Sequence, residues 1–317
     1  MSTVLAVDIG GTKIHAGIVT HDGGWSVSHA RSVPTGAAGG RSAVLARVTQ
    51  ILDDVRAAGV AEGRSVDLVG VASAGVISSA TGEVLSATDL IPGWGGTPLR
   101  AHLEEASGLP VTVLGDVHAH GLGEAAAGAA AEFDSALVVA VGTGIGGAYI
   151  QGGQVMRGEH DVAGHLGHIL HPAALDLTCS CRRTGHIEPL ASGPGIVASY
   201  VRAGGPQGYG GREVDDAAEA GDSAAVHVVT TAGRALGEVL GSLANAFDPG
   251  VIVLSGSVAN SGEVWWNAVR EGYGHQAMDP VAGVPLVPGS LGGQAPLIGA
   301  ALAALTAQGH TPASATD

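Results

Sequence analysis

Val4-Leu5-Ala6-Val7-Asp8-Ile9-Gly10-Gly11-Thr12-Lys13 is an apolar run that ends in a carboxylate and breaks into two glycines, a hydroxyl and the chain's only lysine. A run of this length bounded by glycine reads as a buried strand followed by a tight turn. Apolar sequence resumes at once over residues 14–19. A third strand-like run, 25–33, follows the turn residues Asp22-Gly23-Gly24. The pattern is a β-meander opening on a glycine turn. The turn also has a chemistry. Its glycines let backbone N–H groups approach phosphate oxygens, the Thr12 hydroxyl adds a donor, and Asp8 can hold hydrated Mg²⁺. Taken alone, an ordinary hairpin turn explains the same residues equally well.

Further along, residues 42–58 place Val44, Leu45, Val48, Ile51, Leu52 and Val55 on one helical face. Residues 66–72 read as a buried strand, 99–107 as a short helix, and 111–114 as a strand with Asp116 just past its end. Residues 123–131 read as helical. The pattern then restarts. An apolar strand at 136–141 enters Gly142-Thr143-Gly144-Ile145-Gly146-Gly147, and strand-like sequence returns at Ala148-Tyr149-Ile150. The glycine spacing formally matches a dinucleotide-binding turn, but that motif needs a helix to follow, and the sequence here offers a strand. Residues 152–192 are loop-rich. A long helical pattern covers 224–247, a buried strand 251–254, a helix 262–271 and a last apolar helix 297–305, before a polar tail, 306–317, that reads as frayed. Each half starts with a strand, a glycine turn and a strand, which predicts an α/β protein of two lobes with a cleft between them.

Composition narrows the partners. At roughly 100–200 residues per domain, 317 residues make one large domain or two. With 45% apolar and 14% charged residues the chain can bury a core and does not read as disordered. Acidic residues outnumber basic ones 29 to 14, for a net charge of -15, and such a surface repels a nucleic-acid backbone. The apolar runs fall far short of the roughly 20 residues that span a bilayer. Met1-Ser2-Thr3-Val4 shows no secretory leader, so the expected setting is cytoplasmic, with no membrane partner. Cys179 and Cys181, the only cysteines, stand one residue apart, where a disulfide would be strained. Metal ligation or inert thiols remain.

The paired glycine hairpins resemble the phosphate loops of the actin-like (ribonuclease H-like) sugar kinase fold, and the chain as a whole resembles the ROK family of repressors, uncharacterised frames and sugar kinases. The residues that carry the resemblance are Asp8-Ile9-Gly10-Gly11-Thr12-Lys13, Pro92-Gly93-Trp94, Asp116, the Gly142 to Gly147 loop and Gly164-His165-Leu166-Gly167-His168. Cys179-Ser180-Cys181 with Gly185 and Glu188, and Leu297-Ile298-Gly299-Ala300, complete it. The resemblance implies an ATP:sugar phosphotransferase using Mg²⁺ and a structural Zn²⁺, with a sugar and ATP as partners and a homodimeric or homotetrameric assembly. It implies a first lobe of residues 1–121 plus 296–317 and a second of 122–295, the last helix crossing back to the first lobe. Asp8, Gly10, Gly11, Thr12 and Lys13, with Gly142, Thr143 and Gly144, fall on the nucleotide phosphates. Gly256, in Leu254-Ser255-Gly256-Ser257, falls near the adenosine. Gly75, Gly115, Asp116, His165, His168 and Glu188 fall on the sugar.

Asp116 is the expected catalytic residue. A sugar hydroxyl is a poor nucleophile, and phosphoryl transfer needs a carboxylate to take its proton. From residue type alone a helix N-cap is as natural a role, and the family motif decides for catalysis. His168, Cys179, Cys181 and His186 are four nitrogen and sulfur donors within 19 residues, suited to tetrahedral Zn²⁺. The family has a third cysteine where His186 stands. Unliganded thiols are the alternative, and His160 and His171 read as bystanders.

Two departures bear on the substrate. Gly115-Asp116-Val117-His118 stands where the family has an Asn-Asp pair followed by Asn or Gln, so one amide contact to sugar is lost. His165 stands where many family glucokinases have glutamate, which is similar to N-acetylmannosamine kinases. The expected activity is ATP-dependent phosphorylation of a hexose or N-acetylhexosamine at C6, of N-acetylmannosamine type. The alternatives are a glucokinase or N-acetylglucosamine kinase and, in another class, a catalytically weak sugar-binding or regulatory protein without a DNA-binding domain. The ROK repressor reading is disfavoured by a start only seven residues before Asp8.

Overall fold

A computed structural model describes residues 2–88 and 90–310. The chain opens with β1 (Ser2–Ile9), β2 (Lys13–His21) and β3 (Trp25–Pro34). Next come α1 (Gly40–Ala61), β4 (Leu68–Ser73), the short pair β5 (Val76–Ile77) and β6 (Val84–Ser86), and α2 (Leu99–Ser107). β7 (Val111–Gly115) runs directly into α3 (Asp116–Ala127). β8 (Ser135–Val141), β9 (Ile145–Gln151) and β10 (Gln154–Val155) precede the long loop. Then follow α4 (Glu188–Ala191), α5 (Gly193–Arg202), α6 (Gly211–Glu219) and α7 (Ser223–Phe247). β11 (Val251–Ser255), α8 (Glu263–Gln276), β12 (Leu286–Pro288) and α9 (Ala295–Ala307) close the chain.

Two expectations are corrected. The helix read over 123–131 begins at Asp116 and ends at Ala127. α5 and α6 fall in residues 193–223, a stretch to which the sequence pattern assigns no element; α5 opens on Gly193-Pro194, with proline in the first turn, and α6 follows Gly210. The tail read as frayed from residue 306 is helical through Ala307, and its residues 311–317 lie outside the described ones.

The elements sort into two compact units. One holds the described parts of residues 1–134, 148–164 and 290–317, and the other holds 135–147 and 165–289. The division expected at 121/122 falls inside the continuous helix α3, and residues 148–164 go with the first unit.

The first unit is built on a sheet in the order β3-β2-β1-β4-β7. β1, β2 and β3 pair antiparallel, whereas β1, β4 and β7 pair parallel. Side chains alternate across β1. Leu5, Val7 and Ile9 pack with Val44, Val48, Ile51 and Leu52 of α1, and Val4 and Ala6 pack with Leu297, Ile298, Ala301 and Leu305 of α9. A strand covered on both faces must be apolar throughout, which is why β1 reads as an unbroken run. Helices α3 and α9 approach backbone to backbone. A Cβ at Gly123 would run into the Ala295 carbonyl, and one at Gly299 into the Ala119 carbonyl.

In the second unit β8, β11 and β12 form parallel neighbours, with Val251 opposite Ala136 and Ile252 opposite Leu286. The side chain of Asp222 caps α7 by accepting the Ala225 N–H at 2.8 Å. The core joins Val139, Ile252 and Leu254 to Leu236 and Leu240 of α7 and to Trp265 and Tyr273 of α8. No helix among the described residues is long and apolar enough to cross a membrane.

Candidate active site

In the first unit, three parallel strands deliver polar groups to their C-terminal ends. Asp8 stands opposite Ala72, and Ser73 opposite Gly115, so the ends of β1, β4 and β7 lie side by side. Ligands of open α/β sheets gather at such an edge. Gly10 and Gly11 follow β1, Gly75 follows β4, and Asp116 follows β7 as the first residue of α3. Gly10 and Gly11 do not adopt positive φ, so the turn uses their small size and not left-handed backbone. Gly75 does, at φ 104°, and a Cβ there would meet the Ser86 carbonyl at 2.7 Å. The turn is pinned from β3. The Thr35 hydroxyl donates to the Gly10 carbonyl at 2.6 Å, and its N–H to the Thr12 carbonyl at 2.9 Å. No sequence signal marks Thr35. Beneath the edge, buried Trp94 donates from Nε1 to the Ser73 hydroxyl at 3.2 Å, which gives the Pro92-Gly93-Trp94 motif a supporting role.

Asp8 and Asp116 repel each other. The Asp8 pKa is raised to about 7, first by burial and then by the charge of Asp116, with Lys13 partly offsetting both. Two carboxylates sharing a desolvated edge with one lysine suit a divalent cation, and Mg²⁺ is characteristically held by one or two carboxylates together with substrate phosphates. Asp116 Oδ1 also accepts its neighbour's N–H, from Val117, at 2.8 Å.

Gly115 and His118 are adjacent in space. Buried His118 donates from Nε2 to the Ala163 carbonyl at 2.8 Å, and a Cβ at Gly115 would lie 3.5 Å from its Nδ1. The imidazole therefore stands beside the place where a larger residue at 115 would extend.

The second unit repeats the arrangement. Ser255 pairs with Ala140, so Gly142 and Gly256 leave the ends of adjacent parallel strands. Gly256 has φ 88°, and a Cβ there would run into the Val141 carbonyl. The Gly142 N–H donates to the Gly144 carbonyl at 2.9 Å, and the Gly142 carbonyl accepts from Gly193 N–H at 2.9 Å. A strand, β9, follows this loop and not a helix, as the rejection of a dinucleotide site requires. Glu188 joins two loops. Its Oε2 accepts the Ile145 N–H at 3.1 Å, and its Oε1 accepts the Ser180 hydroxyl at 3.0 Å.

His168, Cys179, Cys181 and His186 come together, one donor atom of each lying within 4.8 Å of the others. Cys179 Sγ is 3.4 Å from His168 Nδ1, Cys181 Sγ is 3.3 Å from His186 Nδ1, and the two Nδ1 atoms are 3.2 Å apart. Tetrahedral Zn²⁺ with Zn–N of about 2.0 Å and Zn–S of about 2.3 Å separates its ligands by about 3.3–3.8 Å, so the donor set fits that ion. Both cysteines are free thiols. His171 instead bonds Glu238 at 2.9 Å and takes no part. His165 stacks on His168 with ring centroids 6.1 Å apart.

The ROK family's sequence model matches residues 4–307. A glucokinase of Streptomyces coelicolor (strain ATCC BAA-471 / A3(2) / M145) is 30% identical over 321 residues, covering 95% of this chain and 97% of that protein. An N-acetylmannosamine kinase of Yersinia pseudotuberculosis serotype O:1b (strain IP 31758) is 33% identical over 263 residues, 81% of this chain and 84% of that one. Among solved structures, a ROK family glucokinase from Streptomyces griseus in complex with glucose and AMPPNP superposes with a TM-score of 0.82 at 29% identity, covering 96% of this chain and all 100% of the other.

Proposed function

The chain belongs to the ROK family, and on that premise we propose that it transfers the γ-phosphoryl group of ATP to the C6 hydroxyl of a hexose or N-acetylhexosamine, with Asp116 as general base. It is a carbohydrate kinase of the two-lobed actin-like α/β fold. The observation that carries the choice of base is the convergence of Asp8 and Asp116 at one strand edge, with Asp116 close enough to raise the pKa of Asp8.

In this reading the sugar oxygen attacks the γ-phosphorus, its proton passes to the Asp116 carboxylate, and the bond to the β–γ bridging oxygen breaks to release ADP. Backbone N–H groups of Gly11 and Thr12 in the first unit, and of Thr143 and Gly144 in the second, receive phosphate oxygens, while the N–H groups of Gly10 and Gly142 close the two turns on the Lys13 and Gly144 carbonyls, and Lys13 is a further cation. Gly256 lies under the adenosine. Asp8 would hold Mg²⁺, which when bound neutralises charge on the transferring group. His168, Cys179, Cys181 and His186 would hold Zn²⁺, which fixes the loop carrying His165 and Glu188 and does no chemistry. Gly75, His165, His168 and Glu188 line the sugar, with Gly115 leaving room beside Asp116. The assembly is a homodimer or homotetramer.

The substrate is of N-acetylmannosamine type. Where a glutamate accepts several hydroxyl hydrogen bonds, the imidazole of His165 can accept at most one, which suits a sugar with a less demanding hydroxyl pattern there. The N-acetylmannosamine kinase relative supports the same choice. A coupled ADP-release assay across N-acetylmannosamine, N-acetylglucosamine, glucose, mannose and fructose tests it, with N-acetylmannosamine expected to turn over fastest. Fastest turnover of glucose overturns the substrate assignment. ADP release with none of the five overturns the hexose kinase reading and leaves a sugar-binding protein.

A further inference from the structure

At the other end of β7, about 13 Å along the strand from Gly115, the first unit holds a cavity of about 500 Å³, a volume suited to a small metabolite. Its wall is formed by the start of β7, by Arg100 and Glu104 of α2, by Gln154 and Arg157, and by the end of α9 at Thr306. Two guanidinium groups therefore share one cavity. Arg100 is held by backbone carbonyls, donating to Ala80 at 2.8 Å and Ser79 at 3.5 Å. Among the described residues the Arg157 guanidinium has no hydrogen bond, and no carboxylate lies within 4 Å of either arginine.

Two carboxylates stand nearby, Glu104 in the cavity wall and Asp161 beside it, and each accepts a backbone N–H group and pairs with neither arginine. Glu104 Oε1 accepts the Val111 N–H at 3.4 Å, and Asp161 Oδ2 accepts the Ser79 N–H at 2.9 Å and its hydroxyl at 3.3 Å. Burial lowers the pKa of Arg157, the charge of Asp161 opposes that shift, and the charge of Arg100 adds to it. At Arg157 the charge of Asp161 outweighs that of Arg100, but no carboxylate touches either guanidinium among the described residues, which leaves N–H groups of Arg157 to meet an incoming anion. Guanidinium pairs match phosphate oxygens in geometry as well as charge. Among the described residues no aromatic ring lines the cavity, so a nucleotide base finds no stacking platform. Thr112, Gln154 and Thr306 offer hydroxyl and amide groups instead.

We propose that this cavity is a second small-molecule site, which takes the phosphate ester of a polyol. Arg100 and Arg157 hold the phosphate, and Thr112, Gln154 and Thr306 meet the hydroxyls. The site lies at the opposite end of β7 from Asp116, and its occupancy is independent of which sugar the kinase phosphorylates.

Titration calorimetry on the full chain tests the proposal, with glucose 6-phosphate and inorganic phosphate as separate probes. Glucose 6-phosphate binds the wild type, and Arg157→Met weakens it roughly tenfold or more, the worth of a charged hydrogen bond. Arg157→Lys, which keeps the charge, restores most of the affinity, and kinase turnover stays near wild type in both variants. Should melting curves show Arg157→Met to be unfolded, Thr112→Val serves in its place, and it weakens the ester while sparing inorganic phosphate. Absence of binding, or equal affinity in wild type and folded variants, overturns the site. Inorganic phosphate binding as tightly as the ester overturns the polyol assignment.

Discussion

Asp8 carries the clearest electrostatic signature in the first unit. Its pKa stands at about 7, against 3.8 for an unperturbed aspartate, chiefly through burial and then through Asp116. Between these values the folded chain keeps a proton that the unfolded chain has released. Folded stability therefore falls as pH rises through that window, being greatest below the unfolded pKa. Asp8→Asn carries no charge and removes this slope. Melting curves recorded without nucleotide or magnesium should show wild type losing stability relative to Asp8→Asn between about pH 4 and pH 7, with the variant the more stable at neutral pH. Parallel curves would show that Asp8 is not strained. The same strain is useful for function, since a cation bound at this edge would relieve it.

Among the elements, the loop between β10 and α4 depends most on its proposed metal. Its regular structure is limited to short turns of helix and the isolated bridges Leu170–His186 and Thr178–Thr184, and a metal held by His168, Cys179, Cys181 and His186 would join these pieces at one point. Elemental analysis should find about one zinc per chain, and Cys179→Ser or His186→Ala should abolish it while lowering the melting temperature. Metal content unchanged in both variants would refute the ligand set. This loop was legible in the sequence because sulfur and imidazole donors at short spacing have few other uses. Helix α3 was not. Its buried positions include His118, Gly121, Gly123 and Glu124, so no apolar stripe announces it. Its contact with α9 is made by glycines that let backbones touch. Glu124 is fully buried, and it accepts N–H groups of Ala129 at 2.9 Å, Ser290 at 3.2 Å and Leu291 at 3.1 Å, tying α3 to the segment before α9. A carboxylate in such a place has no counterpart in sequence pattern.

Across the whole molecule the two units solve one problem twice. Each sets a glycine loop at the C-terminal end of a buried strand beside a parallel neighbour, β1 beside β4 and β8 beside β11. The alternation of apolar runs and glycine turns made both strands legible, because strands covered on two faces leave no room for polar interruption. The chain order of the units was less legible, since residues 148–164 rejoin the first unit through contacts that no local pattern encodes. The central claim, sugar phosphorylation with Asp116 as base, is tested most directly by Asp116→Asn. The amide keeps the shape of the side chain and can hydrogen-bond a hydroxyl, but it cannot take the proton. Turnover of the best sugar in the ADP-release assay should fall roughly 10²–10⁴-fold while the sugar dissociation constant changes far less. Turnover within about tenfold of wild type would contradict the account, because a general base is worth more than that.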